Sequence, residues 1–147
     1  MAPNVGEVWT HDKFFCGKPP DEQRAHLVIL AVTKYSVTWR KLTKQATGRP
    51  QHPRCCSGPP AGFYPSFYLG KGVLASLPLD TWVDLLLLDD EDALDFSADV
   101  RAGELYCSGK LPDALVCQVL RCALQSSGTA NYQAKQIQHS VAALGCP

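Results

Sequence analysis

The alternation of apolar and polar positions divides the chain into a strand-rich first part and a helical end. Val5–Thr10 reads as a first strand, and Lys13–Gln23, with Gly17, Pro19 and Pro20, as an exposed loop. His26–Val32 is a continuous apolar, β-rich run that suits a strand buried on both faces. Ser36–Thr43 sets Val37, Trp39 and Lys41 against Thr38, Arg40 and Leu42, the period of two that belongs to a strand. Lys34-Tyr35 is the predicted turn of a hairpin between these two runs. Tyr64–Leu69 and Val73–Ser76 are short strand candidates, and Thr81–Leu88 is a third strong one. Asp89–Asp92 forms an acidic turn into a helix over Leu94–Ala102.

Two helices close the chain. Over Pro112–Ser126, Leu115, Val116, Val119, Leu120, Ala123 and Leu124 form one apolar face. Pro112 suits its first turn and Gly128 its stop. Thr129 is the expected cap of the last helix, where Ala130, Ala134, Ile137, Val141 and Leu144 recur at helical spacing. Strands in a row followed by helices predict an α+β, mainly β fold: a small antiparallel sheet or barrel with C-terminal helices. A single domain over 1–147 follows, with a β core over 5–108 and helices over 112–144. Lys44–Gly62, rich in Gly, Pro, His and Cys, is inserted in that core and is long enough to expect a functional loop.

Composition adds constraints. The 147 residues are 46% apolar and 19% charged, which excludes collagen-like, coiled-coil and wholly disordered chains. No apolar run approaches the ~20 residues of a membrane-spanning helix. The N-terminal run shows neither a charged n-region nor an apolar h-region, so a cytoplasmic protein with reduced thiols is the expectation for the seven cysteines. Cys117 and Cys122 fall in the apolar helical stretch, where a thiol acts as a small hydrophobe.

The formal net charge is zero, but its distribution is uneven. Residues 1–79 carry ten Lys/Arg and four Asp/Glu (10 − 4 = +6), and residues 80–147 carry four and ten (4 − 10 = −6). Lys34, Arg40, Lys41, Lys44, Arg49 and Arg54 fall in one stretch without an acid. Such a stretch either binds a polyanion or is neutralised by the acidic half of the fold. Walker A, GxGxxG, HExxH, GxSxG and CxxC signatures are all absent. His52, Cys55 and Cys56 are candidate zinc ligands, with Cys16 and Cys107 able to join them, but paired CxxC spacing is missing.

The order of motifs carries a more specific signal. Gly6-Glu-Val-Trp9, a loop, and then Asp21-Glu-Gln-Arg-Ala-His-Leu-Val-Ile-Leu30 resemble the MazF/PemK/Kid toxins of bacterial toxin–antitoxin modules. The next strand ends in Leu42-Thr43, as in that family, and Thr81-Trp-Val-Asp84 resembles a later strand. Gly103-Glu-Leu105 and Gly109-Lys-Leu-Pro112 are similar to the family's C-terminal pattern. The resemblance covers residues 5 to about 126. Ala25 stands where the family has Pro, the loop after Lys44 is longer, and no Arg stands beside Asp84.

The resemblance implies an SH3-like barrel, a homodimer and metal-independent cleavage of single-stranded RNA, with no cofactor. It also implies a cognate antitoxin whose acidic, apolar segment fills the catalytic groove. The family's catalytic Arg falls on Arg24 and its Thr/Ser on Thr43. His11, placed near the loop before Arg24 in such a barrel, is the candidate general acid/base, since imidazole titrates near neutrality. Lys34, Arg40, Lys41, Lys44, Arg49 and Arg54 are the candidate phosphate ligands. Tyr64, with Tyr35, Phe63, Phe67 and Tyr68, is a candidate for base stacking. The rival expectation is a non-catalytic barrel module that binds nucleic acid or a protein through the basic hairpin.

Overall fold

The computed structural model describes residues 2–15, 22–58 and 63–147. The strands are β1 (Glu7–Phe15), β2 (Glu22–Val32), β3 (Ser36–Thr43), β4 (Cys55–Cys56), β5 (Ser66–Lys71), β6 (Asp80–Asp84), β7 (Glu91–Asp92) and β8 (Leu105–Lys110). The helices are α1 (Ala93–Arg101), α2 (Asp113–Gln125) and α3 (Asn131–Leu144). The fold is α+β and mainly antiparallel sheet, with strand order β4-β5-β6-β3-β2-β1-β8 and β7 on the start of β3. The sheet is barrel-like but not closed.

β3 is the corner of this sheet. Val37 to Lys41 pair with β2, whereas Leu42 and Thr43 pair with β6. The strand thereby passes from one half of the sheet to the other, and its last residue lies at the seam.

Continuous apolarity in β2 has the expected consequence: Leu27, Val28, Ile29, Leu30 and Ala31 are all buried. Alternate residues feed two cores. Val28 and Leu30 join α2 and α3 residues such as Val116, Leu120 and Ile137. Leu27 and Ile29 join Trp9, Trp39 and Phe96, the last delivered by α1. The Trp9 and Phe96 rings meet edge to face with centroids 4.9 Å apart. The preferred geometry of such a pair adds about 0.5–1.5 kcal/mol beyond burial.

Several boundaries differ from the sequence reading. β1 and β2 run into the expected 13–23 loop, pairing Phe14 with Gln23 and Phe15 with Glu22, so ladder bonds override its polar composition. Its centre, residues 16–21, lies outside the described residues. Val73–Ser76 is not a strand; it contributes only the isolated bridge Leu74–Leu77. The Thr81–Leu88 run stops at Asp84, whose Oδ1 accepts the Leu86 N–H at 3.1 Å and turns the chain. β8 is a strand that local sequence does not predict, because its register on β1 comes from tertiary pairing and not from its own weak alternation. Thr129 does not cap α3; its hydroxyl donates to Ala123 O at 2.6 Å, near the end of α2. Ala130 takes the cap position of α3. Gly128 packs against backbone: a Cβ there would sit 2.1 Å from Leu85 O.

The expectation of reduced thiols is overturned for four cysteines. Cys55 pairs with Cys122, and Cys117 with Cys146. The helical spacing that makes Cys122 a core residue also aims its sulfur at β4. Cys56 and Cys107 are free, and Cys16 lies outside the described residues. The Cys55–Cys122 bond spans 67 positions and ties the end of the long loop to α2. Replacing both with alanine is expected to cost about 2–4 kcal/mol. Thermal melts of the double variant against the oxidised wild type measure this.

Candidate functional site

An open cavity of about 510 Å³ lies at the seam where β3 leaves β2 for β6. Arg24 from β2 and Thr43 from the end of β3 both line it. Lys41, Lys44 and Arg49 bring further positive charge to the same walls, and Asp84 closes one side. The antiparallel hairpin explains this meeting: Leu27 faces Lys41, so the chain before Leu27 runs beside the chain after Lys41.

The Arg24 guanidinium is exposed but oriented. Its Nε donates to Asp12 Oδ1 at 3.0 Å and its Nη2 to Tyr106 Oη at 3.2 Å, while Tyr106 Oη donates to the same Asp12 oxygen at 3.2 Å. The hydrogen bond to Asp12, then the field of Tyr106, raises the Arg24 pKa above its ordinary value. The charge is therefore permanent, and Nη1 has no protein partner among the described residues. Thr43 Oγ1 accepts the Gln45 N–H at 3.2 Å, which leaves its own proton available for an acceptor in the cavity.

The long loop supplies the opposite wall. Trp82 Nε1 donates to Pro50 O at 2.9 Å, and the Tyr64 N–H donates to Gly48 O at 2.8 Å, so the loop is pinned on both sides of Arg49. Arg49 donates through Nη1 to Gln45 O at 3.2 Å and through Nη2 to Asp84 Oδ2 at 3.5 Å. Sequence adjacency gives Asp84 no Arg, but folding does. Arg49 Nε is buried without a hydrogen-bond partner among the described residues. The Tyr64 ring stacks on the Arg49 guanidinium, 4.9 Å from centroid to Cζ, and is about half exposed beside the cavity.

Other expected site residues lie elsewhere. His11 does not join the cavity, because alternation on β1 turns it away from the face that carries Thr10. It is buried instead, with Nε2 at 3.1 Å from Asp99 Oδ2 and Nδ1 accepting the Lys13 N–H at 3.1 Å. It lines a separate acidic hollow of about 490 Å³ with Asp89, Asp90, Glu91 and Glu104. Burial, then Asp99 and Asp95, raises the Glu91 pKa. The folded protein thus holds a proton on Glu91 more tightly than the unfolded chain. Stability falls as pH rises through the interval between the two values, and the penalty persists at neutral pH. Glu91→Gln is therefore expected to raise the melting temperature at pH 7, with the gain vanishing below the ordinary glutamate range. A melt series over pH checks it.

Arg40 is not a phosphate ligand. It is fully buried: Nη2 donates to Gln133 Oε1 at 2.7 Å, and Nη1 donates to Trp39 O and Leu88 O at 2.8 and 3.1 Å. Both faces of β3 are covered at this point, so a position that alternates as polar still points inward. Lys34 sits in the turn at the far end of the hairpin, over the Tyr35 ring. Arg54 donates to Tyr68 O and Leu69 O at 3.0 and 3.1 Å, a clamp on β5. Neither lines the cavity. Of the aromatic candidates, Phe67 is core. The zinc set is not assembled, since the Cys55 sulfur is bonded to Cys122. Among the described residues no three His, Cys, Asp or Glu side chains are placed to hold a metal ion.

One further cavity residue, His26, reads from the sequence alone as a structural histidine. His26 lines the wall beside Arg24. The available signal was its place two residues after Arg24, on the same face of β2. Among the described residues, no helix is long and apolar enough to cross a membrane. Compared with known proteins, the chain matches no family model, no curated protein and no solved structure.

Proposed function

We propose that the cavity binds a phosphodiester and that the protein is a metal-independent endoribonuclease acting on single-stranded RNA. The observation that carries this reading is the convergence of Arg24 and Thr43 on one open, basic cavity. These are the two positions that the resemblance to the MazF/PemK/Kid toxins marks as catalytic.

RNA brings its own nucleophile. The 2′-oxygen attacks the adjacent phosphorus and the bond to the 5′-oxygen breaks. The products are a 2′,3′-cyclic phosphate and a 5′-hydroxyl. Negative charge grows on the non-bridging oxygens as the phosphorane forms. A preoriented guanidinium and a hydroxyl donor stabilise that charge more than the ground state, which is where rate enhancement originates. Arg24, fixed by Asp12 and Tyr106, fills the first role, and Thr43 the second. Lys44 and Lys41 hold flanking phosphates, and Tyr64 offers a ring for a splayed base, worth about 1–3 kcal/mol per stacked base.

On the same resemblance, the chain acts as a homodimer, and a small antitoxin occupies the Arg24–Thr43 groove with an acidic, apolar segment. The expected result is that a mixed-sequence RNA oligonucleotide is cut while DNA of the same sequence stays intact. Salt-sensitive binding of both without cleavage supports the interaction-module reading instead.

A further inference from the structure

We infer that His26 is the general base of this cavity, held in one tautomer by a hydroxyl relay through Thr10 and Ser108 to the Val8 carbonyl. The inference rests on the proposed RNA-cleaving site and adds the group that accepts the 2′-proton.

The relay has a forced direction. Val8 O is a carbonyl and can only accept, and Ser108 Oγ lies 3.2 Å from it, so Ser108 donates there. Ser108 must then accept from Thr10 Oγ1, 3.0 Å away. With its single proton committed, Thr10 must accept from His26 Nδ1 at 2.8 Å. Nδ1 therefore carries the proton in the neutral ring, and Nε2 presents a lone pair with no protein partner among the described residues. The register slip between Val8 and Trp9 in the β1–β8 pairing lets Ser108 reach back to Val8. Bulges commonly re-aim side chains in this way next to sites.

Three surroundings keep the imidazole a base near neutrality. Burial lowers its pKa first, and the positive fields of Arg24 and then Lys44 lower it further. Asp12 and Tyr106 face the same end of β1 and β8 but are bonded to Arg24. Lys41 and the Arg49–Asp84 pair complete the charged walls. Each of these influences favours the unprotonated ring, unlike the field of a free carboxylate.

In the step assigned to it, Nε2 removes the proton of the 2′-hydroxyl as the new O–P bond forms. The P–O5′ bond breaks with its electron pair on O5′, which takes a proton from water. The imidazolium then returns its proton to solvent. Thr10 acts as a positioning residue, since it touches the ring and not the RNA.

The test combines cleavage kinetics with imidazole ¹⁵N NMR on the full chain. His26→Asn keeps an N–H at the Nδ1 position for Thr10 but removes the base. It is expected to lower kcat about 100-fold with little change in KM, and to abolish the acid limb of the pH–rate profile. In the wild type, NMR is expected to show His26 as the Nδ1–H form, titrating below the ordinary histidine value of about 6.5. In Thr10→Val the Nε2–H form gains population and kcat falls. Wild-type cleavage matched by His26→Asn, or an Nε2–H tautomer in the wild type, overturns the inference alone. A wild type that leaves RNA intact overturns the reading of the cavity, and the role of His26 with it.

Discussion

Replacing Arg24 with alanine is expected to reduce RNA cleavage by about 10³-fold and to leave the melting temperature nearly unchanged. The two halves of this expectation come from different properties of the same side chain. About two-thirds of the Arg24 side chain is exposed, so its ion pair with Asp12 adds little to folding. Yet Asp12 and Tyr106 fix the guanidinium at the cavity wall, where a developing phosphorane would meet a charge that needs no reorganisation. Losing a preorganised donor of this kind costs about 2.7–4 kcal/mol of transition-state stabilisation, and a full charge belongs at the upper end. Arg24→Lys restores the charge without the planar fork, and is expected to recover only a small part of the rate. Circular dichroism melts beside single-turnover cleavage separate the two effects. A folded Arg24→Ala variant that still cuts RNA at the wild-type rate removes Arg24 from the site.

Arg40→Ala is expected to do the opposite: a loss of about 3–5 kcal/mol of stability, with any fall in activity following the folded fraction. Arg40 is a buried cation whose charge is spread over the Gln133 amide and the carbonyls of Trp39 and Leu88. Gln133 in turn donates to Leu88 O and Asp90 Oδ1, each at 2.9 Å, so the network joins β3, the chain before β7 and the start of α3. Burial lowers the Arg40 pKa, and Asp90 is the largest opposing influence. Truncation removes the guanidinium donors from Gln133 Oε1, Trp39 O and Leu88 O and opens a cavity the size of the side chain. Arg40→Met, which refills much of the volume, is expected to recover part of the loss. Urea titration reads both variants. If Arg40 were a phosphate ligand, Arg40→Ala would retain its melting temperature and lose RNA affinity; the burial of the side chain argues against that result.

The contrast between Arg24 and Arg40 shows what the sequence could and could not carry. Both are cations on neighbouring strands, and local composition treats them alike. Their fates are decided by whether the face they occupy is covered, and α3 covers that of Arg40. Nothing in Ser36–Thr43 announces a helix that arrives some ninety positions later. The boundaries of β3 and the burial of β2 were legible, because an eight-residue alternation and a continuous apolar run are strong local signals. β8 was not, because Leu105–Lys110 is ordered by its pairing with β1.

The site divides in the same manner. The order of motifs singles out Arg24 and Thr43, and the hairpin register brings both to the wall of one cavity. His11 lies one face away from the cavity: a strand turns each residue over, so the imidazole that reaches the cavity is His26 and not His11. The sequence beside Asp84 holds no Arg, because its partner Arg49 comes from a loop thirty-five positions earlier. The state of the cysteines is hidden from the sequence for a related reason. Residues in a reduced-thiol setting and residues about to form Cys55–Cys122 have the same sequence, and only the packing of α2 on β4 tells them apart.

The most direct test of the central claim is the chemistry of the cut ends. Purified wild-type protein is incubated with mixed-sequence single-stranded RNA in excess EDTA, and the fragments are analysed by mass spectrometry. The expected fragments end in 2′,3′-cyclic phosphate and begin with 5′-hydroxyl, and Arg24→Ala produces them about 10³-fold more slowly than the wild type. RNA that stays intact, or fragments ending in 3′-hydroxyl, would contradict a site in which Arg24 and Thr43 stabilise attack by the 2′-oxygen.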